Sequence, residues 1–327
     1  MSDYVIGVDL GGTRLRSALL NPKLEILKRH EVLTLADQGV EKTLPRVLDA
    51  IRATLPEDKS QVSGIGISIP GPTNPFTGTV ELGTNLKGWH GIELAKIVQD
   101  ELGIKTYLGN DANVAALAET ALGAAHGYHH VIFITVSTGI GSGVIIDGRM
   151  LLGKEGYAGE VGHIQMVVGD KVTTLEKEAA GPALARQARE RVAAGEKSSM
   201  LELAGGDISA ISGATLSEAA KQGDWLALKI VERAGLLLGL GVTSLLHIFN
   251  PEVVVFGGSV SFGLGELLFA PMREAVRSHV IDDGYFRNVR YEMAALGENV
   301  SIIGAGALVV THGGVDDVTE VAAKLTE

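Results

Sequence analysis

Apolar positions fall into short strand-length runs that alternate with stretches of helical period, the pattern of an α/β protein. Val5–Asp9, Arg14–Leu20 and Leu24–Thr34 are predicted as three successive strands, with Gly11-Gly12 and Asn21-Pro22 at the turns. Val40–Leu55 is predicted as a helix, and Gly64–Ile69 as a buried strand that stops at Pro70-Gly71-Pro72. Ile92–Leu102 reads as a helix, Lys105–Leu108 as a strand and Ala112–His126 as an alanine-rich helix. From Val131–Val136 onward the same alternation starts again. Pro251–Phe256 reads as a buried parallel-type strand, with a helix expected from Val260.

The restart is a repeat. Residues 5–22 lie without gaps on residues 131–148, an offset of 126. Each segment is an apolar strand, a glycine-rich hairpin turn, a second apolar strand and an Asn-Pro or Asp-Gly turn. The chain is therefore expected to hold two related halves, the first ending near Asn110 and the second running over residues 111–299. Two hairpin tips of this kind, facing each other across a cleft, would surround the phosphates of a nucleotide.

Composition narrows the chemistry. The 327 residues are 46% apolar and 20% charged, enough to bury real cores. Lys+Arg number 28 against 39 Asp+Glu, a net charge of −11, which disfavours bulk nucleic-acid or membrane-surface binding. The absence of cysteine excludes disulfides, thiolate catalysis, Fe–S clusters and cysteine-based zinc sites. Met1-Ser2-Asp3-Tyr4 has no basic targeting region. The most apolar stretch, Ala234–Phe249, is shorter than the roughly 20 residues a bilayer span needs and is expected to be a buried helix. A soluble, cytoplasmic protein is expected.

Three clusters can carry chemistry. Asp9-Leu-Gly-Gly-Thr13 and Ser137-Thr-Gly-Ile-Gly-Ser-Gly143 put glycines and backbone N–H groups at strand ends, where a phosphate can approach the amides. Asp9 adds a carboxylate suited to magnesium, directly or through water. The G-x-x-x-x-G-K-[ST] loop is missing, while Gly257-Gly258 joins a strand to a helix start. Gly109-Asn110-Asp111-Ala112-Asn113 sits where a strand ends and a helix opens, which favours an ionised aspartate. Gly156-Tyr-Ala-Gly-Glu160-Val-Gly-His163 fixes a carboxylate and an imidazole in a glycine-rich loop, as polyol recognition requires.

Together these residues resemble the ROK (repressor, open reading frame, kinase) family of sugar kinases and sugar-sensing repressors, over essentially the whole chain. Asp9–Thr13 looks like its first phosphate motif, Ile69-Pro-Gly-Pro72 and Asn85-Leu-Lys-Gly-Trp89 like its sugar loops, and Asn110–Asn113 like its catalytic segment. Ser137–Gly141 looks like the second phosphate motif, Ala158–His163 carries the Glu-x-Gly-His signature, and Asn250-Pro-Glu with Gly257-Gly258 resembles the adenosine side. The resemblance implies an actin-like ATPase (ribonuclease H-like) fold of two α/β domains flanking a deep cleft. The tail, residues 300–327, with Gly304–Leu308 opening an apolar helix, would return to the first domain. The implied activity is ATP- and Mg²⁺-dependent phosphorylation of a hexose. Asp111 would act as general base, and Gly71, Asn85, Asn110, Glu160, His163 and Glu176 would contact the sugar. Gly11, Gly12, Thr13, Thr138, Gly139, Gly257 and Gly258 would serve the nucleotide, with Asp9 on its magnesium.

Most members bind zinc through a C-x-C-G-x-x-G-C run after this histidine. Here Ile164–Leu175 is shorter and has no cysteine, so no structural zinc is expected, and Met166, Val167 and Val168 are candidates to replace it. Glucose is the favoured substrate, with fructose, mannose, N-acetylglucosamine, N-acetylmannosamine and a polyphosphate donor as alternatives. Only eight residues precede Asp9, so no helix-turn-helix and no nucleic-acid partner are expected. A non-catalytic sugar sensor is the remaining rival. Homodimers are the common state of the family.

Overall fold

The computed structural model describes residues 4–326. Met1-Ser2-Asp3, read as leading straight into the first strand, and Glu327 lie outside the described residues. Among the described residues, no helix is long and apolar enough to cross a membrane.

The fold contains two five-stranded sheets. The first is built from β1 (Tyr4–Leu10), β2 (Arg14–Leu20), β3 (Ile26–Leu33) and β4 (Val62–Ile69), a short hairpin β5 (Thr73–Asn74) and β6 (Thr79–Val80) standing apart, and β7 (Thr106–Asn110). Its order is β3-β2-β1-β4-β7; β1 pairs antiparallel with β2 and parallel with β4, and β4 runs parallel with β7. The second takes β8 (Val131–Val136), β9 (Ile140–Ile146) and β10 (Arg149–Met150). A separate hairpin, β11 (Gln165–Val168) and β12 (Lys171–Thr174), precedes its last strands, β13 (Val253–Gly257) and β14 (Arg290–Met293). The order β10-β9-β8-β13-β14 repeats that of the first sheet strand for strand.

Two compact units emerge: Met1–Phe133, Gly143–Gly159 and Ala294–Glu327 in one, Ile134–Ser142 and Glu160–Met293 in the other. The first reaches beyond Asn110, where the repeat placed the end of the first half, and takes in the helix Asp111–Leu122. The reason is packing. The helix Val300–Val310 lies on β1 and β4, and an added Cβ at Gly304 would stand 2.0 Å from the Val114 carbonyl oxygen, so the two helices touch backbone to backbone. Contact with the sheet is equally close. A Cβ on Gly7 would fall 2.5 Å from the Ile302 carbonyl oxygen, and one on Gly66 only 1.8 Å from that of Ala305.

Element ends differ from expectation for local reasons. Ile92 is drawn out of its helix by backbone bonds to Val80, so that helix starts at Leu94. The helix Asp111–Leu122 stops before Gly123, where the Glu119 carboxylate accepts the N–H of Ala124 (2.8 Å), so His126 lies in a loop. Glu119 is fully buried; its carboxylate also accepts the N–H groups of Ala295 (3.1 Å) and Leu296 (3.0 Å). In the second unit the stretch Ala234–Phe249 forms the C-terminal part of one long helix, Trp225–Phe249, with Ala234, Leu238, Val242 and Leu246 buried.

The backbone contact sets a clear expectation. Gly66→Ala, which forces a methyl into the Ala305 carbonyl, should destabilise the first unit by about 3 kcal/mol, read as a lower urea midpoint with an unchanged slope.

Candidate active site

In the first unit the glycine turn follows directly from β1. Gly11 N–H closes it on the Arg14 carbonyl (2.9 Å), and Thr34 ties it down: its hydroxyl donates to Gly11 O (2.7 Å) and its N–H to Thr13 O (2.9 Å). Thr13 stays exposed at the tip and Gly12 lies against Asn85, whose Cβ and carbonyl oxygen would each be 3.2 Å from an added methyl. Asp9 faces Arg16 across the β1–β2 register, and its Oδ2 accepts from Arg16 Nε (2.8 Å) and from Nη2. Arg16 Nη1 donates to the Glu298 carbonyl (2.8 Å). Burial pushes the Asp9 carboxyl above the ordinary carboxylate range, and the Arg16 guanidinium only partly offsets this.

The loops expected to meet sugar are held by the core behind them. Trp89 is 1% exposed and its Nε1–H donates to Thr43 Oγ1 (2.7 Å), while Leu86 is also buried. Backbone bonds Gly83 N–H to Trp89 O (2.7 Å) and Leu86 N–H to Gly83 O (3.1 Å) close the loop, leaving Asn85 exposed with φ at +62°. Gly71 has φ at +98°, and any Cβ there would strike the Leu82 carbonyl at 2.1 Å. Its carbonyl accepts from Asn110 Nδ2 (3.0 Å), and Asn110 Oδ1 accepts the Ala112 N–H (2.9 Å) as the helix cap. Asn110 thus ties the Gly71 loop to the helix start. Asp111 is the first residue of that helix and is exposed.

The second unit presents the other motifs. A Cβ on Gly162 would stand 2.1 Å from the Ile140 carbonyl, so the turn Val161–His163 packs tightly on β9 with Val161 buried. This leaves Glu160 and His163 exposed, and neither side chain has a protein partner among the described residues. Glu176 is placed against the second glycine turn: its Oε2 accepts the Ile140 N–H (2.9 Å), next to Gly139. Gly258 has φ at +92° and lies 2.4 Å, measured to an added Cβ, from the Val136 carbonyl; this brings Ser259 Oγ to Ser137 Oγ (2.9 Å).

Beside these hydroxyls is a groove of about 680 Å³, a volume suited to a nucleoside. Thr138 and Ser259 line one side, Leu184 and Val260 supply apolar surface, and the helices Gly181–Ala193 and Gly213–Lys221 open on it with their N-termini. Positive helix ends favour phosphate. Gly257 and Gly258 support the groove without lining it. Sequence reasoning missed its other wall, although Gly181-Pro182 and the Ser212/Thr215 capping box are readable helix starts.

The segment expected to compensate for zinc is the β11–β12 hairpin. Only Met166 is buried, packed with Leu175 against Gly241 of the long helix; Val167 is 76% exposed and pairs with Val172 across the hairpin. Strand alternation turns Val167 outward. Among the described residues, no group of three His, Asp or Glu is placed to hold a metal ion.

The paired sheets and glycine turns are those of an actin-like ATPase fold. The chain belongs to the ROK family, whose model matches residues 5–312. It is 33% identical over 311 residues to a glucokinase of Thermotoga maritima, covering 93% of this chain and 96% of that one. It is 30% identical over 318 residues to a xylose repressor of Caldicellulosiruptor bescii, covering 94% of this chain and 78% of the repressor. A crystal structure of a ROK family glucokinase from Streptomyces griseus, in complex with glucose and AMPPNP, superposes with a TM-score of 0.76 at 31% identity, covering 93% and 98% of the two chains.

Trp89→Phe replaces the buried indole with a smaller phenyl ring, which leaves a cavity and removes the bond to Thr43. It should cost about 2–3 kcal/mol, cavity and hydrogen bond together, and speed amide hydrogen exchange across residues 83–89, with the rest of the first unit unchanged.

Proposed function

We propose that this chain is an ATP-dependent sugar kinase that phosphorylates a hexose at its 6-hydroxyl, glucose foremost, giving glucose 6-phosphate. The observation that carries the assignment is the exposed Asp111 at the first position of its helix, next to a capping Asn110 that anchors the Gly71 loop. Glu160 and His163, presented without protein partners, support a polyol ligand, and the glycine turns with the 680 Å³ groove support a nucleotide.

In this mechanism Asp111 accepts the proton of the sugar hydroxyl as its oxygen attacks the γ-phosphorus and ADP leaves. The helix N-terminus favours the ionised carboxylate. Phosphoryl transfer through a loose transition state asks mainly for positioning and charge neutralisation. Asn85, Asn110, Glu160, His163 and Glu176, with the Gly71 backbone, orient the hydroxyls. The turns at Gly11, Gly12 and Thr13 and at Thr138 and Gly139 bind phosphate oxygens, while Gly257 and Gly258 shape the adenosine groove.

Magnesium typically binds through one or two carboxylates plus substrate phosphates. Asp9 fits that demand with one carboxylate, since the Arg16 bonds occupy Oδ2 only. When bound, the ion neutralises phosphate charge. The proposal places the enzyme in the cytoplasm as a homodimer serving glycolysis, with no structural zinc. The hairpin packing of Met166 supports that last point.

A coupled ADP-release assay with Mg²⁺-ATP and a panel of hexoses tests this. Turnover is expected with glucose, and Asp111→Ala should lower kcat by about 10²–10⁴ while glucose binding, followed by calorimetry, persists. Asn85→Ala should raise the glucose KM about tenfold, the worth of one hydrogen bond, with kcat little changed. Turnover with fructose, mannose, N-acetylglucosamine or N-acetylmannosamine alone would replace the substrate. Sugar binding without turnover of any hexose would make the chain a sensor.

A further inference from the structure

Ile140 in the second unit is held on one side by Glu176, a residue of the proposed hexose site, and on the other by the turn that carries Glu160 and His163. Its N–H donates to Glu176 Oε2 (2.9 Å), and its carbonyl is packed against Gly162, in the turn between Glu160 and His163, closely enough that any side chain there would collide. Ile140 directly follows Thr138-Gly139, and the same turn is closed by Ser137 N–H to Gly139 O (2.9 Å) and tied to the groove helix by Gly181 N–H to Ser137 O (2.8 Å). A shift at Ile140 therefore moves the phosphate turn.

Glu176 is held in place from behind. Its five-residue helix, Leu175–Ala179, is clamped at its carbonyls by Arg186 (Nη2 to Lys177 O, 3.1 Å) and Gln187 (Nε2 to Glu178 O, 2.9 Å). Arg233 pairs with the Glu178 carboxylate (2.7 Å) and donates to Gln187 Oε1 (3.1 Å). Among the described residues, only one Glu176 oxygen is used; Oε1 has no protein partner. A rigidly mounted carboxylate with one oxygen on the turn and one available can report one ligand to the other.

We propose that Glu176 is a positioning residue that couples the two substrates. One oxygen holds the Ile140 N–H, hexose hydroxyls engage the other, and each ligand raises the affinity for its partner. This rests on the kinase proposal, which puts the hexose at Glu160, His163 and Glu176. Linkage makes the coupling reciprocal, and a factor of 5–150 is typical of such pairs.

The test is calorimetric titration of the full chain with Mg²⁺-AMPPNP, with and without saturating glucose. In the unsubstituted protein glucose should tighten AMPPNP binding about tenfold, within that range. Glu176→Ala should bring the factor near one. Glu176→Asp, which keeps the charge but withdraws the oxygen by one methylene, should do the same. Glu176→Gln, which keeps an acceptor at the right reach, should retain most of the coupling. If thermal melting shows that the alanine variant does not fold, the Asp and Gln pair decides. A wild-type factor retained in Glu176→Asp overturns the inference, as does loss of coupling in Glu176→Gln equal to that in Glu176→Asp. Binding of both ligands with a wild-type factor of one overturns it while the kinase proposal stands. Nucleotide binding with no hexose bound defeats both.

Discussion

The first unit depends on the backbone of the helix Val300–Val310 lying directly on its sheet. Gly7 and Gly66 carry no side chain where its carbonyls pass, and Gly304 does the same for the neighbouring helix Asp111–Leu122. Close approach of this kind maximises dispersion contacts but tolerates no added methylene. It also sets where the working ends fall. β1 delivers Asp9 and the first glycine turn, β4 ends at the Gly71 loop, and β7 passes into Asn110 and Asp111. Their relative heights are inherited from one packed layer, which is how parts far apart in sequence arrive as a constellation.

Much of this could be read in advance wherever local chemistry decides. The hairpins, the Asn110 cap and the offset between the two glycine turns are written in short segments, and the repeat carried over into identical strand orders. What stayed hidden depends on strand register and on partners brought together by the fold. The Asp9–Arg16 pair needs the hairpin register, and the early end of the helix Asp111–Leu122 needs the Glu119 carboxylate to accept backbone donors from residues 124, 295 and 296. The groove wall from Gly181 to Ser217 is contributed by helices whose starts are visible but whose convergence is not. The resemblance placed Glu176 on the sugar, and no local pattern points to its bond with Ile140.

In the second unit, apolar packing and polar clamping together mount the segment that follows the Glu160–His163 turn. Met166 and Leu175 supply apolar contact against Gly241, and Arg186, Gln187 and Arg233 satisfy the carbonyls and the carboxylate of a helix too short to be stable alone. A partly buried Arg–Glu pair with additional hydrogen bonds is worth more as a geometric constraint than as net stability. Here it fixes the mounting of a loop.

The helix that completes the first unit is encoded long after the strands it covers. On a ribosome, β1 and β4 emerge with their glycine faces open, and the intervening residues 160–293 can condense before residues 300–310 appear. The first unit therefore cannot complete its packing until nearly the whole chain has been made, unlike an amino-terminal domain encoded in one continuous stretch. Loop closure over such a separation is slow relative to local contacts. Until residues 300–310 are made, the sheet face at Gly7 and Gly66 lacks the helix that covers it in the folded chain.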